Sequence, residues 1–220
     1  MQSVFENILS KIADIDSTTN HNIFKLYISF DGGAKKNGKP DCRAGWGYIV
    51  YNSDYEEIYR EGGPTELKNI PGKVYKTSNN IAELSAFSGA INFVESLDNY
   101  LNEKIEKPVL LKVKILYDSE YAVKCITIWA PNWLKSPYKL KGKLNLDIIL
   151  PTTKKYLELI ERKSCINKDR VKLGAKPANI NRINIEFKHV KSHKKEPENA
   201  MEKVYWMMND EVDKYCTSFC

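Results

Sequence analysis

Several features that would assign many proteins to a class are scarce or missing in this chain. Histidine is scarce, with three in 220 residues, and the five cysteines (Cys42, Cys125, Cys165, Cys216 and Cys220) form no Cys-x-x-Cys pair. No Cys/His spacing suits zinc, and an odd cysteine count argues against a disulfide framework, so reduced thiols in a cytosol-like compartment are expected. No run is long and apolar enough to span a bilayer, and the chain is expected to make no membrane contact. The first sixteen residues include the acids Glu6, Asp14 and Asp16 and have no continuous apolar stretch, so neither a transit peptide nor a secretory signal is expected. No Pro-, Gly- or Ser-rich linker, internal repeat or low-complexity tract divides the sequence, and 42% apolar side chains suffice for one sizeable core.

What is present is organised. Phe5, Ile8, Leu9 and Ile12 recur at helical spacing, so residues 1–22 read as an N-terminal helical extension and residues 23–220 as one catalytic domain. Strand character follows over Lys25 to Phe30, Gly45 to Tyr51 and Glu56 to Glu61, an antiparallel meander with a turn at Asn52-Ser53-Asp54. Ile81, Leu84, Phe87, Ile91 and Val94 mark a helix from Asn80 to about Leu97, and Leu110 to Tyr117 returns to strand. This crossover implies a parallel neighbour for the first strand. Beyond it the pattern predicts a helix to about Ile128 and an irregular basic segment over Trp129 to Lys143. A helix over Leu144 to Glu161, disturbed at Pro151, comes next. A loop insertion over Ser164 to Arg182, a strand over Ile183 to His189 and a helix over Glu202 to Tyr215 complete the order. The expected fold is an α/β (α+β) mixed five-stranded sheet, three strands antiparallel and two added in parallel, flanked by helices.

Four acids stand out by their settings. Asp31 lies in Phe30-Asp31-Gly32-Gly33, and Glu83 follows Asn79 and Asn80. Asp118 ends the Leu110 to Tyr117 strand, and Asp213 closes Asn209-Asp210-Glu211-Val212-Asp213. Each has an ordinary local explanation. Asp31 could serve an Asp-Gly turn, Glu83 the return half of a capping box opened by Asn80, and Asp118 an N-cap that Ser119 could equally supply. Two carboxylates at the ends of adjacent strands, however, repel each other unless a cation lies between them. Hard divalent cations are the natural ligands for such a set. The net charge of +6 is modest, but lysines gather at Lys35, Lys36 and Lys39, again at Lys135, Lys139, Lys141 and Lys143, and at Lys191, Lys194 and Lys195. Such groups suit a polyanion, although a solvated lysine face is the commoner reading of any one of them.

Taken in order, these blocks resemble the type 1 ribonucleases H, from about Leu26 to Tyr215. The resemblance rests on the Asp-Gly-Gly, Asn-Asn-x-x-Glu-Leu and Asp-Ser-x-Tyr blocks, the Trp129 and Trp133 pair, Val190-Lys191-Ser192-His193, and the closing Asn-x-x-x-Asp. It implies the ribonuclease H fold and hydrolysis of the RNA strand of an RNA–DNA hybrid, leaving 5′-phosphate and 3′-hydroxyl ends. The implied cofactor is a pair of Mg²⁺ ions, with Mn²⁺ as an alternative, held by Asp31, Glu83, Asp118 and Asp213. Asp31 would bridge both ions, and Glu83 would also meet the ribose 2′-hydroxyl. Twenty residues separate His193 from Asp213, so Asp210 and Glu202 remain alternatives for the fourth acid.

His193 is implied as a mobile proton carrier, with His189 as its competitor. The resemblance assigns nucleic-acid contacts to Asn37, Ser78, Asn79, Asn80, Glu120, Trp129, Trp133 and Lys135. A monomer with no obligate protein partner is expected. Two other readings stand beside this one: a catalytically silent hybrid-binding module, and another nuclease on the same fold. A proofreading exonuclease usually has Asp-x-Glu in its first block, whereas this chain has Asp31-Gly32-Gly33.

Overall fold

The computed structural model describes residues 2–12, 22–65, 77–104, 109–161, 182–191 and 195–220. Five strands, β1 (Asn22–Lys35), β2 (Arg43–Tyr51), β3 (Glu57–Pro64), β4 (Val109–Tyr117) and β5 (Arg182–His189), form one sheet in the order β3-β2-β1-β4-β5. The β1–β2 and β2–β3 pairs are antiparallel, and the β1–β4 and β4–β5 pairs are parallel. This is the mixed sheet expected from the sequence. The helices are α1 (Gln2–Ile12), α2 (Asn79–Lys104), α3 (Glu120–Lys124), α4 (Ala130–Leu134), α5 (Leu146–Glu161) and α6 (Ala200–Thr217).

Strand alternation divides the core between the two faces of the sheet. Phe24, Leu26, Ile28 and Phe30 of β1 point towards α2, where they join Leu84, Phe87, Ile91 and Val94 in the larger buried cluster. Phe30 and Phe87 stack with centroids 4.9 Å apart. Phe5 and Ile8 of α1 are buried in the same cluster, with Phe5 against Phe93 and Tyr100. The N-terminal helix therefore docks on the domain through the apolar stripe seen in its sequence. On the other face Ile49, Tyr51 and Leu116 meet Tyr205, Met208 and Val212 of α6. Arg60 and Tyr51 both bond Glu211, at 2.8 and 3.0 Å, and tie α6 to the antiparallel side of the sheet.

Three sequence expectations need correction. The first strand does not end at Asp31, because β1 runs on through Gly32 and Gly33 to Lys35 and the turn comes at residues 36–41. The reason lies in helix approach. A Cβ on Gly32 would fall 2.2 Å from the backbone of Ala82 and Glu83, and one on Gly33 would fall 2.9 Å from Thr217 Cγ2. The glycines admit α2 on one face and α6 on the other instead of bending the chain.

The segment from Trp129 is not irregular at its start. A π-helical turn over Cys125–Trp129 joins α3 to α4, so winding continues to Leu134, and a short 3₁₀ turn follows at Pro137–Leu140. Pro151 leaves α5 unbroken. It lies inside the helix, past the first turn, and the buried Ile149, Thr152, Thr153 and Leu159 on either side of it hold the helix against the domain. The Ser164 to Arg182 insertion lies almost wholly outside the described residues, and so does His193.

Candidate metal centre and nucleic-acid interface

The parallel register of β1 and β4 ends at Ser29 opposite Leu116, and two residues further along each chain stand Asp31 and Asp118. Asp31 itself pairs with Gly47 of β2, so its backbone is fixed on that side beyond the end of the β4 pairing. Its carboxylate is buried, with 6% of its surface exposed, and Oδ1 accepts the Gly32 N–H at 2.8 Å. On the other side the Cys216 thiol lies 3.7 Å from Oδ2, a weak donor at long range. One amide and one thiol are meagre compensation for a buried anion.

The charges around Asp31 make its position more costly still. Burial, and then the carboxylates of Asp118, Asp213 and Glu83, push its pKa well above the usual carboxylate range, against the opposing pull of the Gly32 N–H. Glu83 is pushed up to about 7, first by burial and then by Asp118, while the Asn79 amide acts in the other direction. Asp118 is thus the strongest charge neighbour of both Asp31 and Glu83. Ligand atoms of Asp31, Asp213 and Cys216 lie within 4.8 Å of one another. The four acids come from β1, α2, the end of β4 and α6, and they converge.

The local roles that competed for these residues are taken by others. Ser119 caps α3, accepting the Ala122 N–H at 3.3 Å. Ser78 accepts the Ile81 N–H and begins α2, which leaves Glu83 too far along the helix to be its capping-box acid. Glu83 instead receives the Asn79 amide at 2.6 Å. The alternatives to Asp213 also have other partners. Asp210 pairs with Lys214 at 2.6 Å, and Glu202 pairs with Lys188 at 2.6 Å. Asp213 is the member of this group that faces Asp31.

The donor chemistry fits a hard divalent cation. A buried carboxylate surrounded by three more, with little protein hydrogen bonding, is the arrangement that Mg²⁺ or Mn²⁺ relieves. Cys216 is the member of this environment that the sequence reading missed. Its thiol is held firmly protonated by burial and by the adjacent Asp31. The signal was its spacing, one helical turn beyond Asp213 on the same face of α6.

The expected nucleic-acid contacts fall in two groups. In the first, Asn37 of the β1–β2 turn accepts the Asn79 N–H at 3.2 Å, which joins this turn to Ser78, Asn79 and Asn80 at the start of α2, beside Glu83. Gly38, in the left-handed region at φ 80°, lets the turn close after Asn37. The second group lies on the helix after β4. Glu120 is exposed and ion-paired with Lys124, which lowers its pKa. Trp129 is 39% exposed and meets Tyr121 edge-on, whereas Trp133 packs against the core beneath the Lys143 ammonium at 5.0 Å. Lys135 follows α4 on the surface. His189 ends β5 with Nε2 3.3 Å from the Asp118 carbonyl oxygen.

The RNase H family model matches residues 25–203. The chain belongs to the RNase H family. The match ends within α6, before Asp213, so the fourth acid rests on geometry. Ribonuclease H of Treponema denticola is 33% identical over 120 residues, which is 54% of this chain and 68% of that protein. Ribonuclease HI of Streptomyces coelicolor is 30% identical over 109 residues, covering 50% of this chain and 36% of that protein. The chain thus spans about a third of the Streptomyces relative. Among solved structures, the prototype foamy virus protease-reverse transcriptase aligns with a TM-score of 0.53 at 20% identity, over 88% of this chain and 20% of that one, a likeness of fold. Among the described residues, no helix is long and apolar enough to cross a membrane.

Proposed function

We propose that this RNase H family member is an endonuclease that hydrolyses the RNA strand of an RNA–DNA hybrid, leaving 5′-phosphate and 3′-hydroxyl ends, by a two-metal-ion mechanism. The observation that carries the reading is the electrostatic position of Asp31, a buried carboxylate facing Asp118, Asp213 and Glu83. Asp31 and Asp213 would hold one divalent cation, and Asp31, Glu83 and Asp118 the other. The neighbour relations support this division, since Asp118 is the charge that acts most on Glu83. Bound there, Mg²⁺ or Mn²⁺ supplies activation of the attacking water and charge stabilisation at the leaving 3′-oxygen.

The chain's own residues do the rest. The Asn37 turn and the start of α2 present amide and hydroxyl groups beside Glu83, the arrangement needed to meet a 2′-hydroxyl and the adjoining phosphates. Trp129 and the lysines from Lys135 to Lys143 offer a stacking surface and positive charge to the DNA strand. In this reading His193 carries protons.

A silent hybrid-binding module is disfavoured by Asp213, whose carboxylate lies within 4.8 Å of that of Asp31. The test is cleavage of a labelled strand in RNA–DNA hybrid, double-stranded RNA, double-stranded DNA and single-stranded RNA, with Mg²⁺ and with chelator. Metal-dependent loss of the hybridised RNA alone is expected. Binding of hybrid without cleavage would move the protein to the silent module, and cleavage of double-stranded DNA to another nuclease class.

A further inference from the structure

A second concave site lies on the α2 face of the sheet, lined by none of the candidate metal ligands. It is a cavity of about 250 Å³ walled by Phe5, Trp46, Tyr48, Tyr59, Glu61 and Phe93. Its aromatic side chains form a continuous group. Trp46 and Tyr48 stack at 6.4 Å, Tyr48 meets Tyr59 at 6.2 Å, and Tyr59 stacks on Phe93 at 5.3 Å. Gly89 of α2 makes room for two of these rings, because a Cβ there would fall 2.9 Å from both Trp46 Cζ3 and Tyr48 Cε1. A glycine within a helix costs about 1 kcal/mol relative to alanine, so its presence here marks a position where ring placement governs.

The one charged group in the wall is an anion. Glu61 Oε2 accepts both tyrosine hydroxyls, from Tyr48 at 2.5 Å and from Tyr59 at 3.4 Å, and Oε1 has no hydrogen-bond partner among the described residues. No cation within that set pairs with Glu61. Its sequence neighbour Arg60 is paired with Glu57 and Glu211, and Lys155, which reaches Asn92 at the rim, is paired with Glu95. In a chain of net charge +6, a carboxylate without a cation among aromatic side chains is a specific electrostatic environment. A phosphate-bearing ligand would be repelled by Glu61, and a purely apolar ligand would leave Oε1 without a counter-charge.

We propose that this cleft binds an organic cation of the quaternary or methylated ammonium class, with the aromatic wall meeting its alkyl shell and Glu61 its charge. The inference is independent of the metal site. The test follows the Trp46 indole N–H resonance, assigned with Trp46→Phe, while the full chain is titrated with three probes. These are choline, its neutral carbon isostere dimethylbutanol, and a short peptide carrying trimethyl-lysine.

Choline and the peptide are expected to shift the resonance saturably and the isostere to leave it in place. Glu61→Gln, which retains an acceptor for the two hydroxyls, should weaken binding about tenfold. Tighter binding of the peptide than of choline would assign the cation to a partner protein, and equal binding to a free small molecule. An unmoved resonance, an equal response to the isostere, or unchanged affinity in Glu61→Gln would overturn the proposal.

Discussion

The two faces of the sheet are built on different terms. Towards α2, Leu26, Ile28 and Phe30 meet Leu84, Phe87 and Ile91 with apolar side chains only, all fully or almost fully buried. Towards α6, the same strand presents Ser29 and Asp31, and the helix answers with Asn209, Asp213 and Cys216. Among the described residues, the Ser29 hydroxyl and both polar atoms of the Asn209 amide have no hydrogen-bond partner. The α2 face carries stability through packing. The α6 face holds polar and charged groups that packing alone does not reward, the usual condition of a functional surface.

The largest effect should come from the edge where the two faces meet. Asp118→Asn removes the charge that acts on both Asp31 and Glu83, and hybrid cleavage should fall on the order of a thousandfold or more while hybrid binding persists. Single-turnover assays and a binding isotherm measure the two separately, and a variant as active as the wild type would remove the proposed centre.

Next in size is Phe87→Ala on the apolar face, which should cost about 3–5 kcal/mol in urea unfolding, because it empties the space against Phe30.

The third prediction concerns acidity. Glu83 titrates near 7 in the folded chain against an ordinary value of 4.5, so in chelator the folded state binds more protons than the unfolded state between these values. Stability must therefore fall as pH rises through that window, by on the order of 2–3 kcal/mol from Glu83. Asp31, shifted in the same direction, adds to the slope. Thermal unfolding from acid to neutral pH should show this decline, Glu83→Gln should flatten it, and Mg²⁺ should oppose it.

The smallest effect is expected at Asn209→Leu, within about 1 kcal/mol of wild type in either direction, since no protein hydrogen bond of its side chain is lost among the described residues. A loss as large as that of Phe87→Ala would mean that the two faces are equally packed.

Much of this architecture was legible in the sequence, because alternation and helical periodicity are imposed by burial and burial is what the α2 face is made of. All five strands and the crossover helix could be read in that way. Asp31 was recognised but misplaced at a strand end, since an Asp-Gly-Gly run looks locally like a turn and only the helices on either side explain glycine within a strand. Asp213 could be chosen over Asp210 and Glu202 by motif, yet its approach to Asp31 is a property of α6 docking. The Asn37–Asn79 contact was invisible for the same reason, since it joins elements distant in sequence, while Cys216 was signalled only by its spacing from Asp213. The aromatic cleft belongs to this group as well, with walls drawn from α1, β2, β3 and α2.

The π-helical turn at Cys125–Trp129 has a consequence for how this chain can vary. Such a turn holds one residue more than regular winding, so it absorbs a residue that would otherwise rotate Trp133 against Glu120. Deleting a single residue within it would restore α-helical winding and leave the helix beyond in phase, because the turn sheds the residue it had absorbed. Trp133 would then keep its packing against the core, whereas the same deletion in a regular turn would swing it round by about 100°. The chain can thus shorten by one residue at this turn without moving the aromatic side chains that follow it.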